Sequence, residues 1–287
     1  MTLWTDEWRS RRLAHERRVD GWVVPYLHRR SRRIAHPVED FLFTYYTFSP
    51  AALRRWHPGF GTRLLGDGLG FLSEVKGYDV QDSYAEGDPR LAVREAATIE
   101  RIRHLLVATQ SRPMVLGCFG LHEWAMVYRQ SAEERRHASY PLRLGGPGTD
   151  SLVERHRIAC THYDAFRFFT PQARPLNAVQ PTRASQADLE QPGCLHATMD
   201  LYKWAFKLSP FTSAELVADC FTLAREVRLV DMQASPYDLS ALGVEPLRIE
   251  TAAGKAEYVA AQRSFAEQAT PLRERLIDVC DQVLRAA

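Results

Sequence analysis

The sequence predicts a mainly α-helical fold: one large helical domain with a loop-rich face and one or two short strand pairs. Three observations carry this reading. Several long segments place their apolar residues at helical rather than alternating spacing. The stretch from about 130 to 195 is polar and broken by Gly145-Gly146-Pro147-Gly148, Pro171, Pro175, Pro181 and Pro192, and a compact domain keeps a loop that long mainly to line a site. No internal repeat, low-complexity tract or clean linker divides the 287 residues. The whole chain, 1–287, is therefore expected to form one domain, with residues 1–35 as an N-terminal helical arm.

Residues 4–33 read as helix, interrupted near Pro25. Pro37 and the acids Glu39 and Asp40 then suit the first turn of an aromatic segment, Phe41–Phe48. The stretch 57–90 is glycine-rich, with one short hairpin through Phe71–Val80. Residues 91–110 form a clear helix, with Leu91, Val93, Ile99, Ile102, Leu105 and Leu106 among charged neighbours. A second apolar helix is expected over 114–129, and a strand over Leu152–Thr161. Pro192-Gly193 precedes a helix over 195–208, ended by Ser209-Pro210. Thr212-Ser213-Ala214-Glu215 is a capping-box pattern. It opens a helix with the stripe Leu216, Cys220, Leu223, Val227 and Val230. A short extended piece at Pro246–Glu250 leads into a last helix, about 254–285, broken at Pro271.

Composition excludes several classes. Hydrophobic content of 45% with 25% charged residues belongs to a water-soluble globular chain. No stretch reaches the roughly 18 apolar residues that span a bilayer, and the N-terminus lacks a signal-peptide core. A cytoplasmic protein with no membrane partner is expected, its five scattered cysteines reduced. Net charge is only +2, and the basic residues are almost all arginine, with Lys76, Lys203, Lys207 and Lys255 the only lysines. Arg29, Arg30, Arg32 and Arg33 form the tightest basic run, a candidate phosphate-contacting surface. Phosphate-loop, dinucleotide and GxSxG patterns are absent.

One chemical theme recurs three times: Cys118-x-x-x-His122-Glu123, Cys160-x-His162-x-Asp164 and Cys194-x-His196-x-x-x-Asp200. Imidazole, thiolate and carboxylate are the groups that bind metals and move protons. His196 and Asp200 fall one helical turn apart, and Lys203 continues that face as a candidate amine nucleophile or counter-charge. Paired CxxC zinc ligands are missing. With zinc spacing and a disulfide context both missing, the cysteines rank below the histidines and acids. A nucleophilic cysteine paired with histidine stays open, although a CxH piece on a strand does not aim its two side chains at each other. His36 and Glu39 add a fourth element.

Four segments, HPVEDFLFTYY (36–46), CFGLHEWAMVYR (118–129), HYDAFRFFTPQARPLN (162–177) and QPGCLHATMDLYKWAFKLSP (191–210), resemble a group of bacterial proteins that carry the name 3-methyladenine DNA glycosylase. The resemblance runs over nearly the whole chain. It implies a DNA-repair hydrolase that excises alkylated purines from DNA and needs no cofactor. A flipped cationic base would stack between aromatic walls drawn from Tyr45, Tyr46, Trp124, Tyr163 and Trp204. Asp200 or Glu123 would activate water or steady the developing positive sugar, with His196 and Lys203 beside them. Arg29, Arg30, Arg32 and Arg33 would hold phosphates.

The residues themselves support an alternative. In it a metal-dependent oxidoreductase or hydrolase acts on a small molecule and holds iron, manganese or zinc through His36, Glu39, His122, His162, Asp164 and His196. A non-catalytic ligand-binding protein with an aromatic pocket is the third reading.

Overall fold

The computed structural model describes residues 1–135 and 137–287. The chain is mainly helical. In order it forms β1 (Thr2–Leu3), α1 (Thr5–Ser31), α2 (Phe41–Tyr45), α3 (Pro50–Arg54), β2 (Arg63–Leu65), β3 (Tyr78–Val80), β4 (Tyr84–Gly87) and α4 (Pro89–Gln110). There follow α5 (Leu121–Ala125), α6 (Gly145–Arg155), α7 (Tyr163–Phe166), α8 (Gln186–Leu189), α9 (Leu195–Lys207), α10 (Ala214–Gln233) and α11 (Ala252–Ala286). Contacts divide the chain into two compact units. One comprises Met1–Val107, Asp200–Ala224 and Pro271–Ala287; the other comprises Ala108–Met199 and Arg225–Thr270. Among the described residues no helix is long and apolar enough to cross a membrane.

The first unit is organised by α1. Its start is fixed by Glu7, whose carboxylate accepts the Trp4 N–H at 2.8 Å, and its last turn carries His28, Arg29 and Arg30 against the negative end of the helix dipole. Trp8, His15, Val19, Val23 and Tyr26 recur at helical spacing and are buried. Pro25 does not interrupt this helix. Pro25 and Gly21, the residue whose carbonyl loses its helical donor, both face solvent, which spares that carbonyl a buried, unpaired position. Pro271 sits just as harmlessly in α11, four residues after exposed Glu267.

A small sheet runs in the order β1-β2-β4-β3, with β1 parallel to β2 and the rest antiparallel. The expected hairpin is therefore shifted along the chain to Tyr78–Gly87, and Leu69–Glu74 is a 3-10 helix instead. Trp8, Trp56, Leu64, Leu69, Leu72 and Ala85 close a core around the sheet. Trp8 Nε1 donates to the Leu65 carbonyl at 3.2 Å, and Trp56 Nε1 donates to Glu215 at 2.8 Å.

The second unit departs most from the sequence reading. The segment 114–129 holds only the short α5, because Phe119 and Gly120 take left-handed backbone angles (φ 48° and 70°) and Arg129 does so again at φ 55°. Such a pair cannot sit inside a right-handed helix. The apolar run is buried from Leu121 to Ala125 and at Val127 and Tyr128, while Met114 and Val115 face solvent. The strand expected over Leu152–Thr161 is replaced by α6, whose buried Thr149, Leu152 and Val153 follow helical spacing. Extended pairing survives there only as an isolated bridge between Ile158 and Asn177. The loop-rich stretch of 130–195 is tied down by α6, α7 and α8.

Trp8 fills the centre of the first unit's core with 2% exposure. Trp8→Ala is expected to cost about 3–5 kcal/mol of unfolding free energy, read from chemical denaturation midpoints.

Candidate active site around Cys118, His122 and Asp231

The site starts from two charges that α10 carries into the interior. Arg228 and Asp231 lie three residues apart on one face, 2% and 0% exposed, and a buried charge must be paired. Arg228 NH1 donates to Asp231 Oδ2 at 2.7 Å and to Glu123 Oε1 at 3.1 Å. The other Asp231 oxygen, Oδ1, faces His122 Nε2 at 2.8 Å. On its far side, His122 Nδ1 stands 3.3 Å from Cys118 Sγ. A continuous line thus runs from sulfur to imidazole to carboxylate to guanidinium, all within the second unit.

The backbone makes this line possible. The left-handed pair Phe119-Gly120 turns the chain, and the Leu121 N–H closes onto the Cys118 carbonyl at 2.9 Å. Sulfur and imidazole are brought together by this turn rather than by a helix face. A Cβ at Gly120 would stand 3.1 Å from the Ala234 methyl, tighter than ordinary contact, and at a φ that L-residues avoid.

The electrostatics follow from the pairing. Burial alone works against a charge on His122, but Cys118 and Asp231 on either side push its pKa well above the usual imidazole range. Burial would raise the Asp231 carboxyl, yet His122, His196 and Arg228 hold it well below the carboxylate range. Glu123 moves the other way, raised by burial and by the neighbouring Asp231 charge despite Arg228. Burial likewise raises the thiols of Cys160 and Cys194, which disfavours their thiolates.

Further imidazoles extend the cluster. The His196 ring lies edge-on to His122 with centroids 4.5 Å apart, and His162 lies 5.3 Å from His196. His162 caps α7 by accepting the Ala165 N–H at 3.3 Å and pairs with buried Glu190 at 3.3 Å. His122, His196 and Asp231 each offer a ligand atom within 4.8 Å of the others, a set that could hold a metal ion. Above them a narrow pocket is lined by Cys118, His122, Cys160, Gln191, His196 and Tyr258, among others. Cys118 is the half-buried thiol at this pocket; Cys160, Cys194, Cys220 and Cys280 are buried. Gln191 fixes one wall by accepting the Val115 N–H at 2.9 Å and the Gly193 N–H at 2.7 Å.

No family model, no curated protein and no solved structure matches this chain.

Of the residues expected from sequence, His122, Glu123, His162 and His196 converge in this cluster. Asp164 is held by Arg167 and Arg183 at 3.3 and 3.5 Å. Asp200, one turn beyond His196 on α9, belongs to the first unit. There it accepts the Tyr46 hydroxyl at 2.8 Å and pairs with Lys203. His36, also in the first unit, uses Nδ1 to accept the N–H groups of Val38 and Glu39 in a turn. Of the proposed aromatic walls, Tyr45, Tyr46 and Trp204 belong to the first unit and Trp124 and Tyr163 to the second. Trp124 is fully buried and bonded to the Ala234 carbonyl, Tyr45 stacks on Phe41, Tyr163 meets Arg183, and Trp204 is covered by Lys203 and Lys207. Arg29 is committed to Asp40 through two hydrogen bonds, while Arg30, Arg32 and Arg33 remain exposed.

Arg228 and Asp231 are missing from the sequence reading. One signal marks them: Asp231 follows Val227 by four residues, so a charge falls on the buried stripe of α10.

Folded His122 titrates above its unfolded value, so its contribution to stability is complete below about pH 6.5 and is lost as pH rises through the folded value. Denaturation midpoints are expected to fall on the alkaline side of neutrality, with a smaller fall in His122→Gln. Asp231→Asn, which leaves Arg228 underpaired, is expected to cost about 3–5 kcal/mol at pH 7 in the same measurement.

Proposed function

We propose that the protein is a cysteine-dependent hydrolase or transferase acting on a small molecule. Cys118 is the nucleophile, His122 the proton carrier, and Asp231 the group that orients and charges His122. The observation that carries this reading is the relay of Cys118 Sγ to His122 Nδ1 at 3.3 Å and His122 Nε2 to Asp231 Oδ1 at 2.8 Å. Nucleophile, base and orienting carboxylate in that sequence are the parts of covalent catalysis, whatever fold supplies them.

The chemistry follows the protons. The thiolate, which a neighbouring imidazolium stabilises, attacks an electrophilic carbonyl carbon. The bond to the leaving group breaks, and the leaving group takes its proton from His122. Neutral His122 then removes a proton from water or another acceptor, which attacks the thioester carbon and releases Cys118 as thiolate. Arg228 keeps Asp231 ionised throughout. The first turn of α9 reaches the pocket through Leu195 and His196, and its dipole favours the negative charge that develops on the attacked oxygen.

A second reading is favoured by His122, His196 and Asp231 as two imidazoles and a carboxylate, a set that suits iron or manganese and also admits zinc. Against it stands the occupancy of Asp231, whose two oxygens already bond His122 and Arg228. An ion would have to displace one of these charge-assisted bonds. Excision of alkylated purines rests on the resemblance alone.

Iodoacetamide at pH 6, followed by mass spectrometry, separates the readings. Cys118 is expected to be alkylated first, and His122→Ala to slow that reaction about 100-fold. Alkylation of Cys118 at the rate of a free thiol, unchanged in His122→Ala, would remove the proposal. Stoichiometric iron, manganese or zinc that is lost in His196→Ala would install the metal reading. Release of 3-methyladenine from alkylated DNA, abolished in Asp200→Asn, would install base excision.

A further inference from the structure

A second cavity lies wholly within the first unit. It is an open cleft of about 350 Å³, inside the range of roughly 300–1,000 Å³ of small-molecule sites. Its walls are apolar where Phe48, Leu91, Ile99 and Pro210 line it, and its cations are Arg55, Lys76 and Lys207. Two of the chain's four lysines line this one cleft. Arg55 is neutralised by Glu74 at 3.1 Å. Lys76 and Lys207 have no carboxylate at ion-pair distance among the described residues, and Glu95 is the other acid on the wall.

A buried polar pair completes the lining. His57 is 4% exposed, and its Nε2 lies 3.0 Å from Ser209 Oγ. Its Nδ1 has no hydrogen-bond partner among the described residues. An unsatisfied buried nitrogen is costly, and it belongs to a residue that lines the cleft.

We infer that this cleft binds a small organic anion, with its apolar body between Phe48, Leu91 and Ile99 and its carboxylate or phosphate head at Lys76 and Lys207. The site is independent of the thiol chemistry proposed for Cys118. Ser209 and His57 serve binding rather than a second nucleophilic reaction. Burial lowers the His57 pKa to about 3, and an imidazole that weak does not take a proton from a serine hydroxyl at neutral pH.

Ligand-observed NMR on the full chain tests the inference with four probes: 2-naphthoate, 2-naphthyl phosphate, 2-naphthalenemethanol and inorganic phosphate. At least one naphthyl anion is expected to bind with Kd on the order of 1 mM, at least about five-fold tighter than either the alcohol or phosphate alone. The tighter of the two anions identifies the head group. Lys76→Gln/Lys207→Gln, both at exposed positions, is expected to weaken that anion about ten-fold. Thr98→Trp, placed on the cleft wall, is expected to abolish binding. The inference is overturned if neither anion binds below about 10 mM, if the alcohol or phosphate binds as tightly, or if either variant binds like the parent chain.

Discussion

The burial of Asp231 is the constraint on which the second unit's chemistry depends. An isolated carboxylate in a protein interior costs many kcal/mol, so its surroundings must supply positive charge. Arg228 supplies one such charge from the same helix, and His122 supplies the other. An imidazole held between Asp231 and Cys118 is kept charged in turn, and a charged imidazole is what a reactive sulfur needs beside it. His122, Asp231 and Arg228 alternate in sign, so the buried carboxylate is balanced on both sides.

That constraint also accounts for the local backbone. A regular helix over 114–129 would carry Cys118 along one face, whereas the left-handed Phe119-Gly120 turn brings the sulfur to the Nδ1 edge of His122. Gly120 is confined twice over, by its φ and by Ala234. Strained backbone of this kind persists only where its surroundings determine it, and it concentrates at functional positions. Gln191 and the first turn of α9 close the pocket around the thiol, leaving Cys118 as its half-buried cysteine.

Much of the fold was legible in the sequence because long amphipathic helices write their period into it. The helices 91–110 and 195–208, α10 and the final helix all follow from spacing, although Ser213 rather than Thr212 caps α10, its Oγ accepting the Leu216 N–H at 3.3 Å while Glu215 turns to Arg11 and Trp56. Local propensity misleads at the prolines, since Pro25 and Pro271 face water and cost their helices little. It misleads again at 114–129, where a run of apolar residues mimics a helix and the positive φ angles at Phe119 and Gly120 forbid one. The candidate site was half legible. His122, Glu123, His162 and His196 stand out by residue type, whereas no metal or disulfide spacing marks the cysteines, although the fold pairs Cys118 with His122. Asp231 lies 109 residues beyond His122. No local pattern joins two residues so distant, so only the charge on the buried stripe of α10 could have pointed to it.

The proton inventory of His122 tests the central claim most directly. Nitrogen-15 NMR of histidine-labelled protein reports the protonation of each ring nitrogen as pH is varied. The expected result is a His122 ring protonated on both nitrogens at pH 7, titrating well above the usual imidazole range, with that titration moved down in Cys118→Ser. A ring that is neutral at pH 7, or whose titration is the same with and without the sulfur, would contradict the relay from Cys118 to Asp231.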